Sequence, residues 1–268
     1  MARANRHYIP GHVWHLTHRC HKKEYLFKFS KDRHQWMKYL YKVKKKFGLC
    51  ILNYMITSNH VHLLVYDHAG DDIIPKSIQF LAGRIAQDYN KRKNRMGAFW
   101  QDRYHATAVE TGEHLAKCIV YIDLNMVRTE TVKHPSQWQW CGYNEIQKPR
   151  RRNVLIDYQK LRELTGFDSY DMFQSAHNRW VEHSLDNGQN KRENHWTESI
   201  ATGSKPFVHQ VMSKLGAQAR GRKIVEANEG YQICEDIVFY QALFDGKKGV
   251  IGPKNTFFGN DIDGNLGG

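Results

Sequence analysis

The 268-residue chain has no long hydrophobic run, only five cysteines, and little acidic charge in its first half. No segment approaches the roughly 20 apolar residues that a membrane-spanning helix needs. The cysteines are scattered and form none of the CxxC pairs that are typical of zinc sites, which favours buried thiols in a reducing cytosol. The first residues lead into polar sequence and lack the apolar core of a signal peptide. These absences argue against a helical membrane protein and a disulfide scaffold, and we expect a cytoplasmic protein.

The net charge of +13 is distributed unevenly along the chain. Residues 1–152 contain 27 Lys or Arg and 12 Asp or Glu, a balance of +15, whereas residues 153–268 contain 13 and 15, a balance of −2. Such a basic region attracts a polyphosphate, because each neutralised phosphate releases counterions. We therefore expect a nucleic acid as partner. The alternative is a solvated basic surface that only aids solubility.

The spacing of apolar residues predicts seven secondary-structure elements in the first 125 residues. This order matches a ferredoxin-like antiparallel sheet with flanking helices, in the α+β class, with one added helix. The predicted elements are a strand at 12–18, a helix at 30–47, strands at 49–57 and 60–66, a helix at 73–95, a strand at 103–110 and a helix from 111 to about 125.

A domain boundary is predicted near Lys148, where a proline and a charge run interrupt the apolar pattern. We predict a first domain over residues 1–148, a mainly helical C-terminal extension over 149–258, and a glycine-rich tail over 259–268. The tail lacks core-forming residues and is expected to be disordered. Helices are expected in the extension at 155–164, 169–185, 204–215 and 230–244, and no internal repeat is visible.

Two histidines two residues apart, His60 and His62, lie in one of the predicted strands. Successive side chains of a strand point to opposite faces, so both imidazoles project from one face and can bind a single metal ion. Tyr121 and Asn125 are four apart on a predicted helix and are therefore neighbours on its surface. We interpret Asn125 as a third ligand and Tyr121 as a nucleophile toward a phosphoryl group. The alternatives are half-exposed strand histidines and a tyrosine packed on the sheet.

Several separated segments resemble the REP-associated tyrosine transposases, a branch of the single-tyrosine HUH transposases. Their order and spacing agree with that family over about residues 5 to 145. One departure is Met126, because the family commonly has proline after the helix asparagine; methionine would let the helix run another turn and leaves the position of Arg128 open. The segments are Ser58-Asn59-His60-Val61-His62-Leu63-Leu64 for the histidine strand, Phe99 to His105 before the fourth strand, Tyr121 to Arg128 for the catalytic helix, and Pro135 to Tyr143 for the aromatic segment after it.

The resemblance implies a metal-dependent single-stranded DNA endonuclease and strand transferase that cleaves repeat hairpins through a 5′-phosphotyrosine intermediate. By position, Tyr121 is the implied nucleophile, and His60, His62 and Asn125 are the implied metal ligands. The implied cofactor is Mg²⁺ or Mn²⁺, and imidazole ligands suit Mn²⁺ better. The expected partner is a single-stranded hairpin resembling a repetitive extragenic palindrome. We expect a monomer or homodimer in a bacterial cytoplasm, associated with the nucleoid.

Basic and polar residues outside the catalytic motifs are the candidate DNA contacts. Phosphate contacts would position the hairpin, while unpaired bases at its foot would set the cleavage site. The candidate contacts are Arg3, Asn5, Arg6 and Arg19 for the foot bases, and Lys42, Lys45, Lys91, Arg92, Lys93, Arg95 and Arg103 for other contacts.

Three alternative functions remain. They are a domesticated protein that binds repeats without cutting, a metal-dependent hydrolase that uses water, and a rolling-circle initiator or relaxase, whose motif order fits less well.

Overall fold

A mixed, largely antiparallel sheet organises the chain in the computed structural model, which describes residues 8–68, 72–188, 191–227 and 230–235. Within these residues the sheet has seven strands in the order β2-β3-β1-β4-β5-β7-β6. All neighbouring strands are antiparallel except β4 and β5, which are parallel. The strands are β1 (Val13–Arg19), β2 (Cys50–Ile56), β3 (His60–Tyr66), β4 (His105–Val109), β5 (Ala201–Gly203), β6 (Arg222–Ala227) and β7 (Gly230–Glu235).

The helices pack around this sheet, and the first four strands with three of the helices form the predicted ferredoxin-like unit. This confirms the predicted fold class. The first helix ends where the pattern predicts, because Gly48 adopts the left-handed backbone with φ of 73° that glycine accommodates without strain. The helices are α1 (Ser30–Phe47), α2 (Ile73–Lys93), α3 (Glu113–Asp123), α4 (Asn125–Arg128), α5 (Gly142–Gln147), α6 (Tyr158–Thr165), α7 (Tyr170–Asp186), α8 (His195–Glu198) and α9 (Lys205–Leu215).

The two faces of the central strands have different roles. Leu16 and Leu63 point to one face, where they lie beside Trp36 of α1 and Leu81 of α2. His62 points to the opposite face, where its ring centroid lies 6.2 Å from that of Tyr121 on α3. Because side chains alternate along a strand, the sheet separates the α1 and α2 layer from the histidine face.

The C-terminal part contains strands that the sequence did not predict. β5 pairs with β4, with Ala201 opposite Ala108, and the β6–β7 hairpin continues the sheet from β5. The predicted helix over 230–244 is wrong for Gly230–Glu235, because these residues form β7. β7 pairs with β5 on one side and β6 on the other, which buries Ile233 and overrides the local helical pattern. Residues 236–244 and the predicted tail, 259–268, lie outside the described residues. Helices α6, α7 and α9 confirm the other three helices, and the domain boundary near Lys148 stays a prediction.

Four of the five cysteines are buried, Cys234 is half-buried, and all five are free thiols. No helix in the described ranges is long and apolar enough to cross a membrane. The cytoplasmic location stays a prediction.

A polar cluster whose charged centre is fully buried connects the end of α3 to α7. The Asp123 carboxylate accepts hydrogen bonds from Asn53 Nδ2 at 3.1 Å and from His177 Nε2 at 2.8 Å. Gln147 Nε2 donates to His177 Nδ1 at 2.8 Å, so a neutral imidazole with its proton on Nε2 satisfies both partners. Each of these polar side chains therefore has a hydrogen-bond partner, and burying any of them without one would be unfavourable.

We predict that His177→Phe lowers the free energy of unfolding by about 3 kcal/mol, because it removes a donor from a buried carboxylate. Phenylalanine keeps the ring that stacks on Phe173, so lost packing contributes little. Urea denaturation of both proteins measures the difference. His183→Phe, at an exposed position of the same helix, is the control and should change stability by less than about 0.5 kcal/mol. An equal loss in the two variants would contradict the role given to the cluster.

Candidate active site

A cleft of about 620 Å³ opens on the histidine face of the sheet. The ends of β1 and β3, helices α3 and α4, and the segment around α8 supply its walls. His60, His62, Tyr121 and Asn125 all line it. The structure thus brings together the four residues that the sequence motifs assign to metal binding and catalysis.

His62 is buried, with 2% of its surface exposed, and both of its ring nitrogens have partners. Its Nδ1 lies 2.9 Å from His15 Nε2, and its Nε2 lies 3.0 Å from Asn125 Nδ2. Burial is the main cause that lowers the pKa of His62 well below its ordinary value, and the neighbouring His60 and His15 act in the same direction. The imidazole is therefore neutral at neutral pH, which is the form that binds metals.

His60 stands beside His62, with 4.9 Å between the ring centroids. Its Nδ1 lies 2.9 Å from Thr57 Oγ1 and 2.7 Å from Asn59 Oδ1. The amide oxygen can only accept, so Nδ1 carries the proton and the lone pair is on Nε2. Burial, followed by the nearby Arg19 guanidinium, lowers the pKa of His60 to about 3. Both histidines of the motif are thus neutral bases.

Asn125 lies at the start of α4, directly after a break in the helix at Leu124. The extra helical turn expected with methionine at position 126 is present as α4, which ends at Arg128 and is separated from α3 by the break at Leu124. The Oδ1 atom of Asn125 is buried and has no hydrogen-bond partner within the described structure. An unpaired buried acceptor is unfavourable, and a cation would relieve that cost.

The ligand atoms that meet in this cleft fit a divalent cation and would bind it with modest affinity. They are the unprotonated nitrogens of two neutral imidazoles and the unpaired amide oxygen of Asn125. Within residues 8–68, 72–188, 191–227 and 230–235, no group of three or more His, Cys, Asp or Glu side chains is arranged to hold a metal ion. A set without a carboxylate favours Mn²⁺ over Mg²⁺, as the sequence also indicated.

Tyr121 is 6% exposed and lies among aromatic and cationic side chains. Its ring centroid is 6.2 Å from that of His15 and 6.1 Å from that of Trp196. The Arg128 guanidinium lies 4.2 Å from the ring centroid and donates to the backbone carbonyl of Tyr121. Burial raises the pKa of the Tyr121 phenol, and Arg128 partly opposes that shift. The hydroxyl makes no hydrogen bond to the described residues, so it is available to a substrate.

Basic side chains surround the histidines and the tyrosine. The guanidinium groups of Arg19, Arg192 and Arg128 all act to lower the pKa of His60, which indicates a positive local potential. Arg192 also pairs with Glu198 at 3.1 Å. Sequence analysis missed Lys191 and Arg192, because their polar segment carries no periodic pattern and no motif. The cationic residues that line the cleft are Arg19, Arg103, Arg128, Lys191 and Arg192.

The predicted DNA contacts that the structure describes are divided between this cleft and other surfaces. Of the eleven candidates, Arg19 and Arg103 line it. Lys42 and Lys45 are part of α1, which packs on the other face of the sheet. Their ammonium groups lie over the rings of Tyr39 and Tyr41, respectively. These assignments stay predictions, as do those of Arg3, Asn5 and Arg6, which lie outside the described residues. In or just after α2, Lys91 and Lys93 are exposed, Arg92 pairs with Asp32, and Arg95 pairs with Glu24 at 3.4 Å.

Residues 9–125 match the family model described as "Transposase IS200 like". The match covers 117 of the 268 residues, and it supports the resemblance to tyrosine transposases that the sequence motifs indicated. The matched range contains β3, α3 and the first residue of α4, and therefore His60, His62, Tyr121 and Asn125.

Two solved structures are similar to parts of the chain. One is a REP-associated tyrosine transposase bound to a REP hairpin, with 20% identity and a TM-score of 0.46 over 54% of this chain and 84% of that chain. The other is a Deinococcus radiodurans R1 protein described as a transposase candidate, with 19% identity and a TM-score of 0.32 over 44% of this chain and 92% of that chain. Both TM-scores are below 0.5, so we draw no functional conclusion from either. No curated protein matches the chain.

We predict that Asn125→Leu weakens Mn²⁺ binding at least about tenfold, or about 1.4 kcal/mol, because leucine keeps the volume but removes the amide oxygen. Calorimetric titration of the purified protein with MnCl₂ measures the affinity. Asn187→Leu, at an exposed position after α7, is the matched control and should bind as the unchanged protein does. Unchanged affinity in Asn125→Leu would remove this residue from the ligand set.

Proposed function

We propose that the protein is a metal-dependent single-stranded DNA endonuclease and strand transferase with Tyr121 as its nucleophile. The observation that carries this proposal is the convergence of the His62 imidazole, the Asn125 amide and the Tyr121 ring in one basic cleft. The match of residues 9–125 to the transposase model supports this class of reaction, and the cleft contains the groups that such a reaction needs.

His60 and His62 would hold the metal ion through their unprotonated Nε2 atoms, and Asn125 through its unpaired Oδ1. When bound, Mn²⁺ or Mg²⁺ supplies Lewis-acid polarisation of a phosphoryl oxygen. The protein's own groups keep the buried His62 imidazole away from water and hold the tyrosine beside it.

In the proposed step, the Tyr121 hydroxyl oxygen attacks a backbone phosphorus of DNA. A bond forms between that oxygen and phosphorus, and the bond from phosphorus to the 3′-oxygen of the preceding nucleotide breaks. The phenolic proton passes to the departing 3′-oxygen, directly or through solvent. The products are a 5′-phosphotyrosine and a free 3′-hydroxyl. Because the phosphodiester energy is retained, attack by another 3′-hydroxyl rejoins DNA without ATP.

The basic side chains around the cleft support DNA as the substrate. Arg19, Arg103 and Arg192 are exposed and can reach phosphates, whereas Arg128 lies half-buried against the tyrosine. A repeat hairpin is proposed as the form of the DNA on the strength of the motif resemblance to REP-associated tyrosine transposases. On the same basis we propose transposition or repeat mobilisation, in a monomer or homodimer associated with the nucleoid.

A domesticated protein that binds repeats without cutting them is the second candidate. The intact set of two neutral imidazoles, an unpaired amide oxygen and an available phenol favours the cutting enzyme, because binding alone would not require any of them. A hydrolase that uses water would leave the tyrosine without a role.

We predict that Tyr121→Phe abolishes the covalent protein–DNA adduct while changing hairpin affinity by less than about threefold, because only the attacking oxygen is lost. The full-length protein is incubated with hairpins labelled at either end and analysed on a denaturing gel. A 5′-phosphotyrosine retains the 3′ label on the protein and releases the 5′ label as a shortened strand. Adduct formation by the Phe variant would overturn the assignment. Tight binding without any cleavage by the unchanged protein would favour the binding-only candidate.

We also predict that EDTA and the substitutions His60→Ala and His62→Ala each reduce cleavage at least about hundredfold, because each removes the metal ion or a ligand from a small donor set. The initial rate of 5′-fragment release is the readout, and added Mn²⁺ should restore only the EDTA-treated protein. His12→Ala, at a residue just before β1 and outside the cleft lining, is the control and should cleave as the unchanged protein does. Full cleavage in excess EDTA would exclude a metal-dependent reaction.

A further inference from the structure

We infer that His15 is a positioning residue which, held by the backbone carbonyl of Trp196, keeps His62 in the tautomer with its proton on Nδ1 and its lone pair on Nε2. The inference concerns the protonation pattern of the protein alone. It rests on the proposed function only in its last step, where that lone pair serves a metal ion. No sequence motif singles out His15 for this role.

Two hydrogen bonds form a relay from the Trp196 carbonyl through His15 to His62, and the donor and acceptor of each can be identified. His15 Nδ1 lies 2.8 Å from the Trp196 carbonyl oxygen, which can only accept, so Nδ1 carries the proton. The Asn125 amide nitrogen, which can only donate, lies 3.0 Å from His62 Nε2, so this Nε2 is unprotonated and the ring proton of His62 is on Nδ1. His62 Nδ1 lies 2.9 Å from His15 Nε2 and is therefore the donor in that hydrogen bond. The remaining nitrogen of His62 is left with a lone pair that points toward Asn125.

The sheet gives the relay little freedom to rearrange. His15 and Thr17 point to the same face of β1, and Thr17 stands directly opposite His62 on β3. The rings of His15 and His62 are nearly parallel, with 5.1 Å between centroids and an interplanar angle of 13°. His15 is 0% exposed. Without an acceptor at this position, His62 Nδ1 would be a buried donor with no partner, which is unfavourable.

The carbonyl that starts the relay comes from a distant part of the chain. Trp196 is 181 residues from His15, in the short helix α8. Its indole is 2% exposed and donates to Glu193 Oε2 at 2.9 Å, which fixes the segment beside the site. His60 differs, because Thr57 and Asn59 in its own turn set its tautomer. The C-terminal part of the chain therefore sets the tautomer of His62, whereas residues of the local turn set that of His60.

The test reads the tautomer directly. Long-range ¹H–¹⁵N spectra of the full-length protein with ¹⁵N-labelled histidine, recorded without metal or DNA, distinguish Nδ1-protonated from Nε2-protonated rings, and His62→Gln assigns the signal. We expect His62 to be protonated on Nδ1. His15→Gln should preserve this form, because its side-chain oxygen can accept. His15→Phe should shift His62 toward the Nε2-protonated form, while His60 stays unchanged.

Mn²⁺ affinity is the second readout. His15→Phe should weaken binding roughly 10- to 100-fold, the range for groups that orient a metal-binding histidine, and His15→Gln should restore most of it. His12→Phe, a buried histidine just before β1, is the control and should change neither readout. An Nε2-protonated His62 in the unchanged protein would overturn the inference, even if His15→Phe does not fold. So would an unchanged His62 signal in folded His15→Phe. A confirmed relay in a protein that never cuts DNA would refute the proposed function and leave the inference standing.

Discussion

The antiparallel pairing of β1 with β3 is the constraint on which the site depends. Its register places Thr17 opposite His62 and Arg19 opposite His60, so alternate residues of the two strands share one face. That face receives α3 with its tyrosine, while the other face packs against α1 and α2. A shift of one residue would turn both motif histidines into the hydrophobic layer and bring Leu63 to the cleft. The apolar side chains on the α1 and α2 face therefore stabilise the catalytic arrangement indirectly.

Burial gives this site its electrostatic character. Desolvation is the largest cause of the lowered pKa values of His15, His60 and His62 and of the raised pKa of Tyr121. All four groups are thus held neutral, while arginines supply the positive charge at the rim. This division suits a polyanionic substrate, since the cations attract phosphates and the neutral bases keep their lone pairs. In the proposed function, the uncharged amide of Asn125 would also avoid the repulsion that a carboxylate would exert on DNA phosphates.

The near-neutral C-terminal half contributes more to the site than its net charge suggests. Lys191 and Arg192 line the cleft, and Trp196 contacts both His15 and Tyr121. A balance of charges over 116 residues averages groups that are far apart, whereas the potential at a phosphate depends on the few nearest ones. Parallel pairing of β5 with β4 brings this segment to the site.

The sequence alone predicted the elements whose patterns are local: the period of two that puts His60 and His62 on one face, the apolar stripe of α1, and the spacing that makes Tyr121 and Asn125 neighbours. It also indicated the family, because the motifs recur in a characteristic order. Only the tertiary structure decided that Gly230–Glu235 is a strand, that Arg192 enters the cleft, and that His15 joins Trp196 to His62. These features depend on contacts between segments far apart in the chain, and such contacts are determined by how the whole sheet pairs and packs, which no local periodicity encodes.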